Sequence, residues 1–126
     1  MLFRSVMIAI LLAMPFHVYA ATRASTIISS ASISFNTSMR ATFSCSTKTK
    51  TDISVGSVKL EVQNSNGTWS FVTNLSAPAS AINVSSYNKP MDYSSSCIAG
   101  KTYRITGTFY VEDEIVTRTS PAKIYQ

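Results

Sequence analysis

Hydrophobic and polar positions alternate along much of the chain after residue 26. Ile27, Ala31, Ile33 and Phe35 are apolar, and Ser fills most of the positions between them. A period of two is the signature of a strand with one face on a core. Asn36-Thr37-Ser38 predicts a turn. Alternation resumes over residues 40–47, where Ala41, Phe43 and Cys45 share one side. Residues 48–56 are mostly polar and predict a connection. Over residues 57–63 Val58, Leu60 and Val62 face one way, and Lys59, Glu61 and Gln63 face the other. Asn66-Gly67 then supplies the backbone freedom of a tight hairpin, and residues 68–73 form the return strand.

The second half of the chain is less regular at first. Residues 74–81 hold Pro78 and small side chains, and predict a loop or crossover. Residues 82–86 and 91–96 are weaker strand candidates, split by Asn88-Lys89-Pro90. Ala99-Gly100-Lys101 predicts a turn into a long strand over residues 102–111, with Tyr103, Ile105, Phe109 and Val111 on one face. Gly107 interrupts that face and marks a bulge or a close contact. Glu112-Asp113-Glu114 is a charged turn, residues 115–120 pair back, and residues 123–125 finish an edge. No stretch carries a sustained helical period.

About seven short strands joined by turns predict an all-β fold, an antiparallel immunoglobulin-like sandwich with a small barrel as the other arrangement. The Val, Ile, Tyr and Phe content separates the chain from disordered, Ser-rich tails.

The start of the chain follows another pattern. Arg4 precedes an uncharged apolar run over residues 6–14, Pro15 breaks it, and Val18-Tyr19-Ala20 offers a cleavage site. This predicts a signal peptide helix over residues 1–20 and an exported domain over residues 21–126. A membrane anchor needs about 20 predominantly apolar residues, and this run is shorter. No apolar tail follows Ser120 either, so no transmembrane anchor is expected in the mature chain, which is placed as secreted, extracellular protein.

The 126 residues carry 11 Lys and Arg against 6 Asp and Glu, a net charge of +5. The bases are dispersed, with only Lys48-Thr49-Lys50 close together. A nucleic-acid binder gathers its bases on one stripe, so no nucleic acid is expected as a partner. Anionic surface polymers fit a mild positive field better. The two cysteines, Cys45 and Cys97, would sit in an oxidising compartment after export, which predicts a Cys45–Cys97 disulfide.

Catalytic chemistry finds little to work with. The one His, His17, leaves with the leader, so Ser-His and Cys-His mechanisms lack their base. The acids Asp52, Glu61, Asp92, Glu112, Asp113 and Glu114 show no spacing of a metal loop or a cleft pair. The expectation is no enzyme, no cofactor and no metal. Aromatic side chains are the remaining lead. Tyr110 lies out of phase with Tyr103, Ile105 and Phe109 and is therefore an outward ring. Trp69 is the other candidate ligand contact, although its large apolar area also suits a core.

Two segments carry a family likeness. The run Val58-Lys59-Leu60-Glu61-Val62-Gln63 followed by Asn66-Gly67-Thr68-Trp69 resembles a hairpin of bacterial immunoglobulin-like and fibronectin type III-like domains. Ala99-Gly100-Lys101-Thr102-Tyr103-Arg104-Ile105 resembles the start of one of their later strands, and the likeness implies that the Tyr103 phenol bonds back to upstream backbone. With Arg23-Ala24-Ser25 and the Thr117 to Ser120 segment, the chain is similar to a group of small secreted bacterial proteins of uncharacterised function. The expected role is a non-catalytic binding module for an unknown protein or surface polymer. A carbohydrate-binding protein with an aromatic platform is the alternative.

Overall fold

One long strand organises the fold. In the computed structural model, which describes residues 26–126, β2 (Arg40–Gln63) runs for 24 residues and pairs with four other strands. β1 (Ile28–Phe35) lies beside its first part, reached by a turn in which the Asn36 carboxamide oxygen accepts from the Ser38 and Arg40 amides. β3 (Trp69–Asn74) returns along its end. β4 (Ala81–Asp92) lies along its first part opposite β1, and β5 (Thr102–Val111) along its second part. A one-turn 3-10 helix (Ser94–Ser96) separates β4 from β5. β6 (Glu114–Thr119) and the two-residue β7 (Lys123–Ile124) pair with β5. The fold is thus all-β, and every pairing is antiparallel.

Two expectations need correction. The connection expected over residues 48–56 is strand, and it carries β2 unbroken from one half of the fold to the other. The seven strands form one continuous sheet that curls on itself like a half-barrel. The physical cause is threonine. Thr47 and Thr51 take the inward positions and are buried, with their hydroxyls satisfied by the Thr49 carbonyl and the Glu112 carboxylate. A β-branched side chain fits the pleat whether or not it is polar. Likewise β4 is a single strand across Pro90, which β2 alone flanks; proline is tolerated at such an edge. The leader expected over residues 1–20 lies outside the described residues.

The curl brings the two ends of β2 and their neighbours face to face. Phe43 from the first half meets Phe109 on β5 with ring centroids 6.4 Å apart at 60°, an edge-to-face geometry that aromatic rings favour. Gly107 lies between them and β1: a methyl there would fall 3.2 Å from both Ile33 Cδ1 and Phe43 Cε1. It is therefore a close contact, and it stands opposite the bulge that β2 makes between Gly56 and Lys59. Ala41, Ile53, Leu60, Ile105 and Val111 complete a core from which water is excluded.

Side chains close the two open flanks. Glu114 on β6 accepts from the Ile27 amide at 2.9 Å and from the Thr26 hydroxyl at 2.8 Å, and the Arg118 guanidinium donates to the Ala31 carbonyl at 3.0 Å. β6 is thereby laced to β1 without a backbone ladder. On the other flank, the crossover from β3 to β4 is pinned by two buried phenols. Tyr93 donates to the Ser76 carbonyl at 2.6 Å and Tyr87 to the Ala79 carbonyl at 2.7 Å, while Pro78 is buried beneath.

Candidate functional site

The second half of the sheet presents its outer face through alternate residues of β3, β2, β5 and β6. The hairpin that positions β3 is a three-residue loop, Ser65-Asn66-Gly67, closed by Asn64 N–H to the Thr68 carbonyl at 2.7 Å and Gly67 N–H to the Asn64 carbonyl at 2.9 Å. Gly67 takes φ 89°, the left-handed position of this loop type. That register sets Trp69 opposite Gln63 and Phe71 opposite Glu61.

Trp69 is half-buried on this outer face, outside the core. Its ring is covered by the Arg104 guanidinium, whose central carbon stands 4.2 Å from the ring centroid. Arg104 in turn donates from Nε to Glu61 at 2.9 Å. Glu61 and Arg104 are opposite each other across β2 and β5, so the pair is fixed by register and the indole lies against it. A cation over an indole face at a partly exposed site contributes about 0.5–1 kcal/mol.

Tyr110 does face outward, as its phase predicts, and is 37% exposed. It pairs with Ser54 and with Ile115 of β6. Its ring spreads toward Gly56, where an added methyl would lie 3.1 Å from Tyr110 Cε2. Ile115 beside it is 65% exposed. Six residues of β5 separate Tyr110 from Arg104, about 20 Å at the rise of a strand. Trp69 and Tyr110 therefore share a face but not a site. Thr106 and Thr108 occupy the stretch between them, and the Thr108 and Thr117 hydroxyls are bonded to each other at 3.0 Å.

Sequence reasoning placed Glu61 outward but missed its pairing with Arg104, and missed the outward phase of Phe71. Arg104 and Glu61 are opposite charges in strands far apart in sequence, and only the register joins them. Phe71, 58% exposed, alternates with Ser70 and was legible as a strand residue but not as an outward one. A shallow cleft of about 430 Å³ adjoins Trp69's end of the face, lined by Gln63, Asn64, Gly100 and Lys101 among others.

The cysteines are not bonded. Cys45 is buried and Cys97 half-buried, both as thiols, so the expected Cys45–Cys97 disulfide is corrected. Cys45 stands opposite Tyr87 inside the β2–β4 ladder, whereas Cys97 follows the 3-10 turn beyond the Arg40–Asp92 end of that ladder. Five residues of β2, about 16 Å of strand, separate Cys45 from that end. A disulfide tolerates no more than about 7 Å between Cα atoms. Burial pushes the Cys45 thiol up, and pushes Cys97 up to about 11. Burial first, then the nearby Cys45, holds Tyr87 up to about 12.

Five of the six carboxylates are bonded within the fold, Glu61 among them through Arg104. Glu114 holds the start of β1, Glu112 accepts from Thr51, and Asp52 accepts from the Asn83 amide at 3.0 Å. Asp92 accepts from the Ser94 amide at 2.9 Å. That bond first, then the Ser94 hydroxyl and Arg40, lowers its pKa. Among the described residues no three His, Cys, Asp or Glu side chains gather as metal ligands. Among them, too, no helix is long and apolar enough to cross a membrane. The Tyr103 phenol accepts from the Ile98 amide at 2.8 Å, the backward bond that the family likeness implied. Compared with protein-family models and with curated proteins, the chain matches none.

Proposed function

We propose that the chain is a secreted, non-catalytic binding module of the immunoglobulin-like kind, acting at a cell surface through the outer face of β3, β2, β5 and β6. The observation that carries this reading is the exposure of Phe71, Tyr110 and Ile115 on one face of the sheet, among seven exposed large hydrophobics of the described residues. Exposed apolar groups collected on one face mark contact surfaces. The positive net charge favours an anionic partner. The structural use of the carboxylates and the raised pKa of both thiols leave no poised acid, base or nucleophile in this reading. Capture of partners from the producing cell's own surface and medium tests it. A partner whose capture weakens at least tenfold with Tyr110→Ala or Ile115→Ala supports the assignment of the face; turnover of a peptide, ester or glycan substrate by the purified chain overturns it.

A second reading is carbohydrate binding, favoured by the outward ring of Tyr110 beside a row of threonine hydroxyls. Arg104 already covers one face of Trp69, so in this reading Tyr110 is the stacking ring. Glycan binding that survives Tyr110→Ala and Trp69→Ala together rules the platform out.

A further inference from the structure

β2 and β5 part at one end of the sheet, and the parting is built into the backbone. Val62 and Tyr103 are their last pair. In register, the next would be Gln63 with Thr102, Asn64 with Lys101 and Ser65 with Gly100. Both strands are engaged elsewhere instead. The Asn64 amide turns to the Thr68 carbonyl inside the hairpin, the Gly100 amide bonds to the Tyr125 carbonyl at 2.9 Å, and the Lys101 amide to the Ile98 carbonyl at 3.3 Å. These six residues therefore line a fork, a cleft of about 430 Å³. That is the size of a small-ligand site. Its mouth is open at Gly100, where an added methyl would meet nothing within 4 Å.

The walls of the fork are polar, and its charge has one sign. Asn64 holds the hairpin wall, its carboxamide bonded to the Thr68 and Ser70 hydroxyls at 2.9 Å. Among the described residues no partner is found for the Ser65 hydroxyl, the Thr102 hydroxyl or the Lys101 ammonium. The acids lie elsewhere. Asp52, Glu112, Asp113 and Glu114 gather at the far end of β5, where Val111 pairs with Ile53. Glu61 is held by Arg104, and Asp92 stands opposite Arg40. Lys101, with Lys123 opposite the neighbouring Tyr103, is left to set a positive potential at the start of β5.

We propose that this fork binds one hexuronate unit of an anionic polysaccharide, with the sugar carboxylate paired to the Lys101 ammonium. A single ammonium balances a single negative charge, so the other contacts are made by neutral groups on the two walls. A uronate ring meets both conditions. It carries one carboxylate, and its hydroxyls are fixed on a rigid frame, facing Gln63 and Ser65 on one wall and Thr102 on the other. A rigid ligand also loses little freedom on binding. A phosphate monoester carries close to two charges at neutral pH, one more than Lys101 balances. The fork lies eight residues of β5 from Tyr110, about 26 Å at the rise of a strand. The inference thus goes beyond the face assigned above and stands apart from it.

The test is titration of the purified chain with trigalacturonate and with its carboxyl-reduced, neutral counterpart, read by amide NMR shifts. The acidic sugar is expected to bind at about 1 mM or tighter, to shift amides over residues 62–65 and 100–102, and to bind more weakly at high salt. Lys101→Gln is expected to weaken it about tenfold, as loss of a charged hydrogen bond does, and Thr102→Val about fivefold. Lys48→Gln removes the same charge from a distant part of β2 and leaves the affinity unchanged. Tyr110→Ala also leaves it unchanged, which tells a failed fork from a failed outer face. Circular dichroism and thermal melts establish that each variant is folded. No binding up to about 10 mM, equal binding of the neutral sugar, or equal effects of Lys101→Gln and Lys48→Gln overturns the proposal.

Discussion

Phe43 meets Phe109 edge to face, 6.4 Å between ring centroids, across the inside of a single curled sheet. The two side chains stand in strands that pair through different halves of the fold: Phe43 beside β1 and β4, Phe109 beside β6 and the second half of β2. Both are fully buried. Their contact is what holds the curl closed in the middle, because no backbone ladder joins those halves except β2 itself. Phe109→Ala is expected to cost about 3–5 kcal/mol in urea unfolding, a large part of the stability of an ordinary small domain. Phe109→Leu keeps most of the volume and is expected to cost much less. Equal losses in the two variants would show that the aromatic ring itself, and not the volume it fills, closes the sheet.

Tyr103 supplies a second long tie, and here the prediction is about one atom. Its phenol oxygen accepts from the Ile98 amide ahead of β5, and its ring is buried among core residues. Tyr103→Phe leaves the ring and deletes the acceptor. The Ile98 amide is only partly buried, so water can replace part of the bond, and the expected cost is about 1 kcal/mol. Hydrogen exchange reads the local effect directly, as faster exchange at Ile98 with little change in the middle of β5.

Glu114 is the corresponding tie for β1. Its side chain accepts from the Ile27 amide and the Thr26 hydroxyl. Bonds to a charged acceptor are stronger than those to a neutral one. Glu114→Gln keeps an oxygen acceptor but removes the charge. The variant is expected to lose about 1–2 kcal/mol, and its amides at residues 27 and 28 to exchange faster. Unchanged exchange there would mean that β1 is held by its ladder to β2 alone.

These contacts divide into those the sequence announces and those it conceals. β1, β5 and the part of β2 before the hairpin follow from simple alternation, because their inward residues are apolar and their outward ones mostly Ser, Thr or charged. Residues 48–56 conceal a strand because the inward face that Thr47 and Thr51 lead into is apolar only at Ile53 and Val55, and a reading that counts the threonines as polar sees too short an alternation. The satisfied hydroxyls that make this tolerable depend on Glu112, some 60 residues away in sequence. β4 is concealed by Pro90, which stops a central strand but not an edge. The outward phase of Tyr110 is legible from β5 alone. The place of Trp69 is not: Arg104 and Glu61 come together through the register of three strands, and that register includes a slip between Leu60 and Glu61 that no local pattern records.

The cysteines make the sharpest chemical prediction. Both are thiols, and burial raises both above their ordinary value of 9.0, Cys97 to about 11. A thiol reacts as its thiolate, so native protein at pH 8 is expected to alkylate far more slowly than unfolded protein. Unfolding without reductant then yields two adducts by mass. The same shifts bear on stability. The unfolded state releases its thiol protons from about pH 9, and the folded state holds them longer, so above that pH the unfolded state binds fewer protons. Stability then falls as pH rises. Tyr87, held up to about 12 against 10.0, extends the effect further into alkali. Urea midpoints are therefore expected to be level up to about pH 9 and to fall steadily through pH 11. Cys97→Ala lessens the earlier part of that fall, to which Cys45 still contributes, and leaves the tyrosine part in place. A disulfide-linked protein would take up no alkylating agent without reductant and would lack the thiol part altogether.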